Sequence, residues 1–333
     1  MSKNLLKNLC FVILLTGCVS TSKNSKPVTT EEPLDSYHPE QPAIGPETKL
    51  QSLTELAQTQ YGGFILTPGF YEAEFKTYCL QPGTPDPTPG DAYLQGPISG
   101  YRKEIVESIL VNSRHKPEID QRNIQLLLWS TVSGADYNKL SYAVQDDARK
   151  LLTSKQIFEL KGGVVGLIKN VSSATGILNV NKDMQNLFNI GASSYEAYER
   201  IAVLREPSKV KRQGVKYDQW YKQKDNYYVR YFPASYKKVR IQIYVPEGLS
   251  DSTGKVNGEY LVFDPTGQQA IPAFTNAQRL GIGAPVLEVI KVIVQVNKKI
   301  GPIPRSPNPT PAPAPAPAPA PTPAPAPVPK THP

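Results

Sequence analysis

The residue best equipped for covalent chemistry in this 333-residue chain is Cys79, in the stretch KTYCLQPG, because the other two cysteines fall within the first eighteen residues. A solitary thiol in the body of a protein can be a small buried hydrophobe, half of an intermolecular disulfide, or the sulfur of another covalent bond. The words that announce common enzymes are missing: there is no GxSxG, HExxH, CxxC or GxGxxG. GLSDSTGKV at 248–256 has the wrong spacing for a phosphate loop, and Val256 lacks the hydroxyl a magnesium site needs, so it reads as a hairpin loop. His115, the one histidine of the body, stands in the turn-like NSRHKPE and reads as an exposed turn residue rather than a base for Cys79. Glu72, Glu74 and Asp136 offer carboxylates for a wall hydrolase, but no pairing is legible in the sequence. The expectation is a non-enzymatic body with no metal and no cofactor.

A second constellation is electrostatic. The chain carries a net charge of +8, and its excess concentrates where cations alternate with aromatic rings: Lys216, Trp220, Tyr221, Tyr228, Arg230, Tyr231, Lys237, Lys238 and Arg240. Rings and cations in alternation can hold an anionic envelope polymer, a lipid headgroup or a single-stranded nucleic acid. The same letters also describe cross-strand aromatic packing on one face and solvated cations on the other.

Three words, TYCL at 77–80, IQLLLW at 124–129 and TGQQA at 266–270, resemble in order the motif blocks of bacterial surface thioester domains. The resemblance implies that Cys79 condenses with Gln268, expelling ammonia and leaving an electrophile that captures amines on a partner surface, with Gln125 as the supporting residue. Gly267 stands where that family has Thr or Ser. On a helix, Gln125 lies beside Leu128 and Trp129, at the margin of an apolar stripe, and so could face a buried site.

The elements that must position these residues lie between two low-complexity ends. Lys3 and Lys7 precede an apolar run too short to span a bilayer, which is the pattern of a secretion leader over 1–17. Leu15-Thr16-Gly17-Cys18 resembles the lipobox of bacterial lipoproteins, which implies a lipid on Cys18 and a membrane anchor. Val19 is not the aspartate that retains lipoproteins in an inner membrane, so the expected address is an outer membrane. Export excludes nucleic acid as a partner and leaves an envelope polysaccharide or an envelope protein. With Cys10 removed and Cys18 lipidated, Cys79 has no intramolecular disulfide partner. Residues 18–55 read as a disordered tether. Proline at every second position from Pro309 to Pro329 makes 301–333 an extended tail, with a reach on the order of 100 Å.

The body between them is expected to be α+β: an antiparallel sheet carrying a helical insertion of about four helices. Residues 56–206 would hold N-terminal strands around a Pro68-Gly69 turn and then helices, the last opened by a Ser193/Glu196 capping box. Residues 207–300 would form the basic aromatic sheet, with a short strand at 270–274 and a Val/Ile-rich strand at 286–300.

Overall fold

A computed structural model describes residues 39–100, 102–162, 175–192, 194–208, 216–273, 275–286 and 293–296. The leader, Cys18 and the proline-rich tail lie outside the described residues. In chain order the first strands are β1 (Leu50–Ser52), β2 (Gln58–Thr59), β3 (Phe64–Ile65), β4 (Gly69–Cys79), β5 (Thr84–Pro85) and β6 (Tyr93–Gly96). Six helices follow: α1 (Lys103–Ser113), α2 (Gln121–Ser133), α3 (Tyr142–Leu151), α4 (Ser154–Leu160), α5 (Thr175–Asn189) and α6 (Tyr195–Ala202). The chain then returns to strands: β7 (Val203–Leu204), β8 (Tyr221–Lys222), β9 (Tyr228–Ser235), β10 (Lys238–Val245), β11 (Lys255–Val256), β12 (Glu259–Tyr260), β13 (Val262–Phe263), β14 (Gln269–Pro272), β15 (Leu280–Pro285) and β16 (Ile293–Val294).

The fold is α+β, and all six described helices fall between β6 and β7. Two more helices are present than the expected four. Residues 175–189 were not expected to be helical, since Asn179, Asn181, Asn186 and Asn189 dilute the helical pattern, yet Met184 and Phe188 are buried in the core. Local sequence explains the helix ends well. Asp120 accepts the Arg122 N–H to open α2, and Gly134, at φ 75°, closes it. Thr153 and Gln156 form a full capping box on α4. For α6 the expected capping residue Ser193 lies outside the described residues; Ser194, at the start of the helix, gives its hydroxyl to Glu196 Oε2 at 2.8 Å and makes no side-chain cap.

The main sheet closes on itself. Antiparallel ladders run β4–β10–β9–β6–β14–β15, and β15 returns to β4. Closure is possible because β4 is eleven residues long. Its first part, Gly69 to Lys76, pairs with β10, while Phe75 to Cys79 pair with β15 on the other edge. Alternation along β4 buries Tyr71, Ala73, Phe75, Thr77 and Cys79 on one face. Asn257 and Gly258, both at positive φ, make the two-residue turn joining β11 to β12, so the 248–256 loop leads into a hairpin rather than a phosphate site.

The N-terminal boundary differs from the sequence reading. Residues 39–55, expected within a tether, lie on the body: Pro39 bridges Tyr221, Glu40 accepts the Tyr228 hydroxyl, β1 pairs with β4, and Leu53 is fully buried. Of the strand expected at 286–300, the described part is β16, which pairs with β2; most of the remainder lies outside the described residues.

One buried ion pair ties the helices to the sheet. Arg114, just after α1, makes a bidentate pair with Asp264 and also reaches the Tyr61 carbonyl. Its side chain is only 8 % exposed, against 24 % for Asp264. Removing one partner of a buried pair strands the other charge. Arg114→Ala is therefore expected to lower stability by about 3 kcal/mol, the lower end of the usual cost because water still reaches Asp264, as read from the urea midpoint at unchanged m.

Candidate functional site

Cys79 terminates β4 three residues past the last rung that β10 provides. Its backbone N–H and C=O point to that vacated edge, where a strand neighbour would normally bond them. Gln125 of α2 takes the place of the strand: Oε1 accepts the Cys79 N–H at 2.8 Å and Nε2 donates to the Cys79 carbonyl at 3.0 Å. A primary carboxamide carries the same donor–acceptor pair as a peptide group, which is why glutamine can do this. Ile124, Leu127, Leu128 and Trp129 bury the rest of that helix face and fix the angle of Gln125, itself 1 % exposed.

On the opposite edge, Cys79 faces Leu280 of β15, and the Leu80 N–H bonds the Arg279 carbonyl one step further on. This makes Cys79–Leu280 a non-hydrogen-bonded pair, the geometry in which side chains approach most closely. Continuing the ladder, Gln278 lies diagonal to Cys79 on the same face, a spacing that long side chains span. Cys79 and Gln278 are both fully buried. The Gln278 amide nitrogen donates to the Thr84 and Ala202 carbonyls at 3.1 and 3.3 Å, while its Oε1 has no partner. Tyr93 donates its hydroxyl to the Gln278 backbone carbonyl at 2.8 Å. Burial pushes the Cys79 thiol up to about 12, against the smaller opposing pull of the Trp129 indole and the Gln81 N–H. A free sulfur at this place would therefore be a neutral thiol at physiological pH, shielded from reagents in solution.

The glutamine expected to meet Cys79 does not. Gln268 is opposite Ile282, which in turn pairs with Thr77, so β15 stands between Gln268 and β4. Two strand spacings of about 4.8 Å separate them. Its carboxamide is also engaged, accepting from Gln95 and donating to the Asp264 carbonyl at 3.3 Å. Sequence reasoning missed Gln278 because AQRLGI lacks the Gln-x-Ala spacing of the TGQQA block; strand register alone reveals it.

The cation–aromatic constellation resolves into a self-paired sheet face. Arg240 reaches Glu72 at 2.7 Å, Lys238 reaches Glu74 at 2.8 Å, and Arg230 bonds Gln242 and the Asp218 carbonyl. The Arg230 guanidinium lies 4.3 Å from the Trp220 ring centroid, and that of Arg240 lies 4.5 Å from Phe232. Trp220, Tyr221, Tyr228 and Tyr231 are buried, so they offer no stacking platform; Lys216 and Lys237 remain exposed. Exposed pairs of this kind are worth about 0.2–1 kcal/mol. Lys238→Ala is expected to shift the denaturation midpoint within that range and to leave retention on an immobilised polyanion unchanged. His115 is exposed beside Arg114 and Asp264 and has no part in the Cys79 site. Among the described residues no cluster of His, Cys, Asp or Glu could hold a metal ion, and no helix is long and apolar enough to cross a membrane.

Comparison with protein-family models, curated proteins and solved structures found no match to this chain. What can be said of function comes from the site itself.

Proposed function

We propose that this chain is a lipid-anchored envelope protein whose body captures a partner covalently through an internal thioester between Cys79 and Gln278. The observation that carries the reading is the register at Cys79: its peptide groups are clamped by Gln125, its thiol is fully buried, and the ladder extended by one step sets it diagonal to Gln278, a buried carboxamide whose oxygen has no partner. In formation, the Cys79 sulfur attacks the Gln278 carboxamide carbon; the C–S bond forms, the C–N bond breaks, and the thiol proton leaves with ammonia. In capture, a primary amine attacks the same carbon, an amide forms and the thiol is released. Burial protects such an acyl group from water, and each molecule reacts once, so the activity is stoichiometric rather than catalytic.

Lipid on Cys18 would hold the molecule at the membrane, and an outer-membrane address fits a capture role. The alternative, a binding or structural body that takes an anionic envelope polymer on the basic sheet, is less well supported because Lys238 and Arg240 are already paired and the aromatic rings of that stretch, Trp220, Tyr221, Tyr228 and Tyr231, are buried. Intact mass with and without methylamine separates the two: a mass lower by one ammonia and an amine adduct support capture, whereas full mass with one titratable thiol removes it.

A further inference from the structure

A fully buried acyl group needs a way in for its nucleophile, and the cover over Cys79 and Gln278 is unequal. The Trp129 ring and the strands bearing Tyr93 and Ala270 are woven into the core. On the remaining side stand β5 and β7, two-residue strands joined in parallel at Thr84–Val203 and Pro85–Leu204. Gln278 donates its amide hydrogens to Thr84 and to Ala202, so its carboxamide lies directly behind this pair. In front of it is a groove of about 570 Å³, lined by α6 and by Val203, Leu204, Arg205 and Glu206.

Ala202 and Val203 are buried in the core beside Tyr195 and Tyr198 of α6, but the outer end of the pair, from Leu204 onward, is exposed and held by ions. Arg205 bonds Asp86 at 3.1 Å and Glu199 at 3.4 Å, and Lys237 bonds Glu199 at 3.1 Å. Asp86 also accepts the Tyr236 N–H at 2.9 Å, and the Tyr236 hydroxyl joins Glu199 to Tyr195. The cations are largely exposed, at 65 % for Arg205 and 48 % for Lys237, whereas the carboxylates they hold are mostly buried. Such a segment, short in backbone bonds and pinned by exposed cations, is of the kind that opens below the global unfolding free energy.

We infer that the chain from Leu204, the outer end of β7, to Glu206 forms with its partner β5 a gate over the Cys79–Gln278 pair, latched by Arg205 and Lys237 on Asp86 and Glu199, and that the nucleophile arrives through the groove outside it. The chemistry of the latch names the class of nucleophile. A primary ammonium, such as a lysine side chain on a partner surface, can replace Arg205 or Lys237 on these carboxylates and so favour the opening that admits it. The gate rests on the thioester reading only for its purpose; the opening itself can be measured on the thiol.

The test is the alkylation rate of Cys79 by iodoacetamide in Gln278→Ala protein, where the thiol is free in either case, without denaturant. Arg205→Ala should raise the rate about tenfold. Arg122→Ala, which removes the exposed Arg122–Glu196 pair from α6 but leaves the latch intact, should not change it. Added lysine methyl ester should accelerate labelling of the parent more than the same concentration of sodium chloride. Equal rates in the Arg205→Ala protein and its parent, or an equal rise with Arg122→Ala, would overturn the gate. A rise with Arg205→Ala in a protein whose wild type shows no ammonia loss would leave the gate standing and remove the thioester.

Discussion

A chain running from Ser20 to Pro333 is expected to weigh one ammonia less than its sequence, to show no titratable thiol after denaturation, and to gain one methylamine when treated with it. Both Cys79→Ala and Gln278→Ala should abolish the deficit and the adduct. Gln268→Ala should retain both, because Gln268 stands beyond β15 with its carboxamide committed to Gln95 and Asp264. This triplet separates placement from presence. If Gln268→Ala removes the deficit and Gln278→Ala does not, the register argument is wrong, even if the thioester exists. If no variant changes the mass because the wild type already has its full mass, Cys79 is a packing residue.

The second large effect belongs to Gln125→Ala. It strips two hydrogen bonds from a fully buried peptide segment, leaving the Cys79 N–H and C=O without partners. Each of the two buried groups so orphaned costs about 1–3 kcal/mol, so a loss of about 2–6 kcal/mol is expected in urea unfolding, with the cavity pressing it to the upper end. Gln125→Glu should rescue little. A carboxylate can accept the N–H but cannot donate to the carbonyl, and it would be charged in a dry site. In both variants the ammonia deficit should be lost or incomplete, since the β4 terminus would no longer be held opposite β15. A stability loss below 1 kcal/mol with the deficit intact would show that the clamp is ornamental to both fold and chemistry.

Where the chain's own letters sufficed, the reason was local. An apolar period over IQLLLW places Gln125 on a buried helix face whatever the helix packs against, and turn and cap residues such as Gly134 and the Asn257-Gly258 pair act over a few bonds. The α+β class followed from the change of period along the chain, and Cys79 drew notice because only it, of the three cysteines, lies outside the first eighteen residues. The helix at 175–189 was hidden because its stability comes from burying Met184 and Phe188 rather than from propensity. The basic aromatic stretch could be read either as a binding surface or as packing, and the partners that decide between them, Glu72 and Glu74, come from a strand more than 150 residues earlier.

The identity of the proposed acyl donor is the sharpest division between the two levels. The count of cysteines singled out Cys79, and the resemblance to thioester motif blocks pointed to Gln125 and Gln268, since a motif measures distance along the chain. Which glutamine faces the sulfur is set by strand order and register, because side chains on a sheet meet across rungs and along diagonals. Only the closure of β15 onto the far end of β4 brings Gln278 there, with the β5–β7 pair as its cover.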